Sequence, residues 1–145
     1  VSLRLFLFMI KNDLYRSKEL KLDHFIESEG VLFAGRHLIL DLYGAENASD
    51  LHLMRQAMIE AVTEAGAHLL HIHLHHFTIN KGISGVAVLA ESHISVHTWP
   101  EVGFIAFDVF MCGEANPGKA VDVFRRYFHP KRYKLTEFKR GKQDD

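Results

Sequence analysis

Gly82-Ile-Ser-Gly-Val-Ala-Val-Leu-Ala-Glu-Ser-His-Ile-Ser-Val-His-Thr-Trp-Pro-Glu101 is the stretch on which the fold turns. Residues 84–90 and 92–98 each read as a strand. Short turns marked by Gly82, Pro100 and Gly103 set these runs apart from two more, residues 67–77 and 103–112. Upstream, residues 36–43 form a strand in which Leu38, Leu40 and Leu42 alternate with His37, Ile39, Asp41 and Tyr43. A helix follows it. Ser49 or Asp50 can accept from the free amides at its start, Leu51, Met54, Met58, Ala61, Val62 and Ala65 make its buried stripe, and Gly66 ends it. Downstream, Asn116-Pro117 opens a second helix that runs to about Phe128, because proline's missing amide is harmless at the first helical position. Residues 133–139 alternate as a last strand, and residues 140–145 read as a frayed tail. These elements predict an α+β two-layer sandwich, a largely antiparallel sheet with both helices on one face. Residues 1–30 read as an N-terminal extension, and residues 31–145 as a single domain.

A chain of 145 residues, 48% hydrophobic and 24% charged, suits one globular domain. Its 17 basic and 18 acidic residues leave a formal charge of -1, so no basic field favours nucleic acid or an anionic membrane. A small molecule or a protein is the expected partner. The apolar run at residues 5–10 is shorter than a signal-peptide core, lacks a small-residue cleavage site and runs into Lys11-Asn12-Asp13. It reads as a packed strand or helix, in a cytoplasmic protein. One cysteine, Cys112, excludes an intrachain disulfide framework and leaves a lone thiol.

Two constellations bear on chemistry. His71, His73 and His75 alternate with Leu70, Ile72 and Leu74, so three imidazoles project from one strand face about 7 Å apart. They could hold a metal, or line a half-exposed sheet face or a subunit interface. No patterned acid or cysteine accompanies them, and no metal is expected. The second set is Ser84, Glu91, Ser92, His93, Ser95, His97, Thr98 and Cys112. Ser92 lies between Glu91 and His93 rather than in a Gly-x-Ser-x-Gly elbow, so a hydrolase triad fits poorly. Five residues separate Ser92 from His97, which on a regular strand puts them on opposite faces. They can meet only if the chain bends or breaks between them.

The stretch 82–101, together with Phe107-Asp-Val-Phe-Met-Cys-Gly113, resembles the short prokaryotic, pyruvoyl-dependent form of S-adenosylmethionine decarboxylase proenzyme. The resemblance extends through Phe33-Ala-Gly-Arg-His-Leu-Ile-Leu-Asp-Leu-Tyr-Gly44, residues 70–77 and Phe138-Lys-Arg-Gly141, covering about residues 30–141. It implies that the Ser92 hydroxyl attacks the carbonyl of Glu91 to give an ester. Elimination and hydrolysis then leave a pyruvoyl group at residue 92. His97 would take the α-proton and Ser84 would hydrogen-bond the rearranging centre. The products would be chains 1–91 and 92–145, the second of 54 residues (145 − 91).

The implied reaction is decarboxylation of S-adenosylmethionine, which supplies the aminopropyl donor for spermidine. A covalently bound pyruvoyl ketone forms a Schiff base with the substrate amine and accepts electrons, so neither pyridoxal phosphate nor a metal is required. By the same resemblance Cys112 returns the proton, Glu101 accepts from the ribose hydroxyls and Phe77 stacks on adenine. The working unit would be a dimer of cleaved protomers, two α and two β chains, with active sites between subunits. This chain departs from the family pattern at Thr78-Ile-Asn-Lys81, at Val102 and Phe104, and at Gly118. Ornithine or arginine as substrate is an alternative with the same chemistry. An uncleaved binding or regulatory protein, or a histidine-metal protein, is an alternative of a different class.

Overall fold

A computed structural model describes residues 25–143. The apolar run at residues 5–10 and the charged segment at 11–21 lie outside the described residues. The elements run β1 (Ile26–Ser28), β2 (Val31–Phe33), β3 (Gly35–Tyr43), α1 (Leu51–Glu64), β4 (Leu69–His76), β5 (Ile83–Leu89) and β6 (Ser92–Trp99). After a 3-10 turn at Pro100–Val102 come β7 (Phe104–Cys112), α2 (Pro117–Phe128) and β8 (Arg132–Arg140).

Six strands form one sheet in the order β4-β5-β6-β7-β3-β8, every pairing antiparallel. The period-two pattern sets its faces. Leu38, Leu40, Leu42, Ala87, Ile94, Val96, Ile105, Phe107 and Val109 point to one side and are buried. Met54, Met58, Ala61 and Val62 of α1 meet them there, with Ala120, Val123, Phe124 and Phe128 of α2. The rings of Phe107 and Phe124 stack at 3.8 Å and join the sheet to the helix layer. This is the α+β two-layer sandwich expected from the sequence. On the other face Ile39, Val88, Trp99 and Phe138 stay at least 36% exposed, an apolar surface that no element among the described residues covers.

Both helices begin where the sequence places them. Asp50 accepts from the Leu53 amide at 2.9 Å and Asn116 from the Gly118 amide at 3.0 Å, satisfying amides that no helical carbonyl can reach. Gly66, at φ +74°, takes the left-handed conformation beyond Ala65 that ends α1. Strand β4 is shorter than the run 67–77. The Ala67 amide caps α1 through Val62, and a bulge between Leu69 and His71 resets the register.

Two features had no clear sequence signal. Residues Ile26–Ser28 pair with Val31–Phe33 in a separate hairpin that straddles position 30, turning through Glu29 and Gly30 at positive φ. The segment after residue 139 is also tied down: Arg140 closes β8, and the Gln143 amide donates to Leu32 at 3.0 Å. No helix among the described residues is long and apolar enough to cross a membrane.

Candidate active site

Strand β6 carries candidate residues at both ends. At its start, Ser92 faces Leu89 across the two-residue turn Ala90-Glu91. Glu91 adopts φ +61°, a left-handed conformation that costs a side-chain-bearing residue about 1 kcal/mol or more. The strain therefore sits immediately before the Glu91–Ser92 bond. The Ser92 hydroxyl accepts a hydrogen bond from the Cys112 amide at 3.1 Å, which fixes its place at the end of β7. Cys112 is half-buried, and its thiol pKa is raised. Burial is the main cause; the Glu91 charge adds to it and a hydrogen bond with Ser92 opposes it. A thiol so placed keeps its proton at neutral pH, the state a proton donor needs.

A cavity of about 610 Å³ opens at this end, lined by Ser92, Cys112, Gly113, Glu114, Ala115, Ala90, His68 and Ala67, and by Ile26 of β1 and Phe25 just before it. Nothing in the sequence pattern marked His68, Glu114 or Phe25. They reach the cavity from the residue before β1, the α1–β4 connection and the β7–α2 connection, and each is unremarkable in its own segment.

At the other end of β6, register places Ser84 opposite His97, and their side chains meet at 2.9 Å, Ser84 Oγ to His97 Nδ1. Thr98, a buried polar side chain, accepts from the Ile83 amide at 2.8 Å and pins the start of β5 beside that pair. A second cavity, about 400 Å³, is lined by Ser84, His97, Trp99 and the Phe77–Asn80 loop. Asn80 closes this loop by accepting from the Gly82 amide at 3.0 Å. Phe77 is 46% exposed and packs edge-on against His75. Glu101 is exposed on the 3-10 turn after Trp99 and lines neither cavity.

Thus the fold gathers Ser92, Glu91 and Cys112 at one end of the sheet, and Ser84, His97 and Phe77 at the other. Five residues of strand rise separate Ser92 from His97, roughly 16 Å. Within a single chain they do not meet.

Between the two ends, the outer face of the sheet carries a polar group the sequence did not reveal. His37 Nε2 lies 3.0 Å from Asp108, and Arg140 lies 3.1 Å from His37 Nδ1. The Nε2–H tautomer satisfies both contacts. His93 packs edge-on against His37, and its pKa is lowered chiefly by burial and also by His37. His71, His73 and His75 of β4 stay exposed, and among the described residues no group of three His, Cys, Asp or Glu converges as a metal site.

Comparison with known proteins gives this arrangement its context. Residues 36–141 match the S-adenosylmethionine decarboxylase family. The chain belongs to that family. Among its relatives is the S-adenosylmethionine decarboxylase proenzyme of Thermomicrobium roseum, 42% identical over 108 residues, 74% of this chain and 93% of the relative. The corresponding proenzyme of Methanococcus aeolicus is 44% identical over 110 residues, again 74% and 93% of the two chains. The crystal structure of adenosylmethionine decarboxylase from Aquifex aeolicus superposes with a TM-score of 0.65 at 34% identity, covering 75% of this chain and 92% of that one. As its name states, the S-adenosylmethionine decarboxylase family is one of carboxy-lyases. The β1–β2 hairpin precedes residues 36–141, which match the family.

Proposed function

We propose that this chain is a self-processing, pyruvoyl-dependent decarboxylase of S-adenosylmethionine, made as a proenzyme and cut between Glu91 and Ser92. The observation that carries the reading is the meeting of Ser92 and Cys112 across β6 and β7, directly after a strained turn and beside a cavity. Family membership gives that meeting its chemical sense.

Scission needs an attack by the Ser92 oxygen on the Glu91 carbonyl carbon, which moves the chain from amide to ester. Removal of the Ser92 α-proton then expels residues 1–91 as a carboxylate. Hydrolysis of the remaining dehydroalanine releases ammonia and leaves a ketone. A base is required at the second step, and His97, aligned by Ser84, is suited to it. Since His97 is remote from Ser92 on its own chain, a second copy supplies it. The uncovered outer face, with Ile39, Val88, Trp99 and Phe138 partly exposed, is suited to hold that copy, giving a dimer of cleaved protomers.

The pyruvoyl ketone at residue 92 supplies the electron sink that loss of carbon dioxide demands. The residues present fit such a group: residue 92 stands at a strand end and lines the cavity beside Cys112. Cys112 holds the proton that the substrate carbon receives after decarboxylation. Phe77 and Glu101 are assigned to the adenosine part, and the product to spermidine synthesis in the cytoplasm.

Intact mass of freshly purified protein tests the scission, expecting two chains of 91 and 54 residues (145 − 91 = 54). Release of carbon dioxide from carboxyl-labelled S-adenosylmethionine, ornithine and arginine tests the substrate. A single uncleaved mass, or release from only a diamino acid, would overturn the respective half of the proposal.

A further inference from the structure

We propose that the β1–β2 hairpin is a substrate-specificity wall of the Ser92 cavity, with Phe25 and Ile26 facing the sulfonium-bearing side chain of the substrate. This rests on the pyruvoyl reading of Ser92 and extends it to residues that the family match, 36–141, does not include.

Placement is the first argument. Phe25 and Ile26 line the same cavity of about 610 Å³ as Ser92 and Cys112. That volume lies in the range of sites for small molecules, roughly 300–1,000 Å³. Removing the two side chains would open the cavity to water on the hairpin side, where a carbanion formed on the substrate must be kept from unselective protonation.

Anchoring is the second. The hairpin is fastened to the sandwich through its second strand. Phe33 is 1% exposed, the Ala34 amide donates to Arg140 at 2.8 Å, the Gln143 amide donates to Leu32 at 3.0 Å, and Lys139 sits 5.3 Å from the Phe33 ring. Ile26 pairs with Phe33 in register, so the buried anchor fixes the height of the wall over the cavity. A residue held this way is preorganised for contact rather than recruited by it.

Chemistry is the third. Glu114 is the carboxylate in the lining, and neither lysine nor arginine is present there, so the cavity accepts a cationic ligand. A sulfonium is a cation flanked by carbons and keeps favourable contact with an aromatic face. The terminal ammonium of ornithine is strongly hydrated and loses that hydration against Phe25 and Ile26. The wall thus separates S-adenosylmethionine from a diamino acid, a choice the scission chemistry leaves open.

The test uses the full chain with Phe25→Ala, Ile26→Ala, the double variant and Phe25→Leu, measuring self-cleavage by intact mass and steady-state constants for S-adenosylmethionine. The expected result is unchanged cleavage and a KM raised about tenfold in Phe25→Ala. The leucine variant recovers part of it, and kcat moves less than KM. Wild-type constants in the double variant overturn the proposal. Loss of cleavage in both Phe25→Ala and Phe25→Leu also overturns it, since the hairpin would then serve scission. A wild-type chain that neither cleaves nor releases carbon dioxide marks instead the failure of the pyruvoyl reading, and the wall falls with it.

Discussion

The amide of Cys112 donates to the Ser92 hydroxyl at 3.1 Å, while His97, proposed to serve the same chemistry, lies near the far end of the strand that Ser92 begins. A site split in this way can be rebuilt from two defective copies. Ser92→Ala keeps the Ser84–His97 end intact and cannot cleave. His97→Ala keeps the Ser92–Cys112 end and should cleave about 100-fold more slowly. Co-expressed with distinguishable tags, the pair should yield mixed dimers in which the His97→Ala chain is cut. Mass spectrometry of the tagged chains reads this out, and an uncut mixture would show that His97 does not act across copies.

Cys112 predicts the shape of the pH profile. Burial, the largest cause, raises its thiol pKa. With the protonated thiol as the proposed donor, activity should persist above the ordinary thiol range, about 8.5, and fall only at higher pH. Alkylation by iodoacetamide, which needs the thiolate, should show its midpoint displaced upward in the same sense. Cys112→Ala should still self-cleave and lose about 100-fold in carbon dioxide release.

Gly35 leaves no room beside that thiol. A Cβ there would lie 2.7 Å from the Met111 carbonyl oxygen, 2.8 Å from the Phe110 ring and 3.0 Å from Cys112 Sγ. The carbonyl belongs to the β3–β7 ladder and cannot step aside. Gly35→Ala should cost about 1–3 kcal/mol in denaturant unfolding and slow decarboxylation by moving Cys112.

Edge strand β8 is fastened to β3 by a two-pronged pair, Arg36 Nε to Glu137 at 2.6 Å and Nη2 at 3.1 Å. The Arg36 hydrogen bond holds the Glu137 pKa below its ordinary value. A lowered carboxylate pKa contributes stability above the unfolded value, about 4.3, and loses it as pH falls through the folded one. Because both groups are about one-third exposed, Glu137→Gln should cost only about 0.5 kcal/mol at pH 7. That gap should close in acid and in high salt.

The sandwich was legible because β3, β6 and β7 alternate and its helices open with Asp50 and with Asn116-Pro117. The hairpin at residues 26–33 was not, since strands of three residues are too short to show a period. The site was legible as a list and not as an arrangement. Face alternation along β6 shows that Ser92 and His97 diverge. It cannot show that Ser84, thirteen residues before His97, would face it, or that Cys112, twenty residues after Ser92, would hold its hydroxyl. Those meetings depend on the register of β5 against β6 and on where β7 ends. His37, Asp108 and Arg140 come together through three strands whose order in the sheet no local pattern encodes.

The strand order gives scission an unusual mechanical outcome. Cutting before Ser92 would assign β3, β4 and β5 to one piece and β6, β7 and β8 to the other. Yet β3 lies between β7 and β8, joined to each over nine residues. The two pieces would be interleaved like clasped fingers. Parting them means breaking three ladders and emptying the core, so they should travel as one particle through any native separation and come apart only in denaturant. The lost peptide bond joins the two-residue turn to the first residue of β6, so its breakage would touch only the terminal Leu89–Ser92 pairing and leave the rest of the sheet in place.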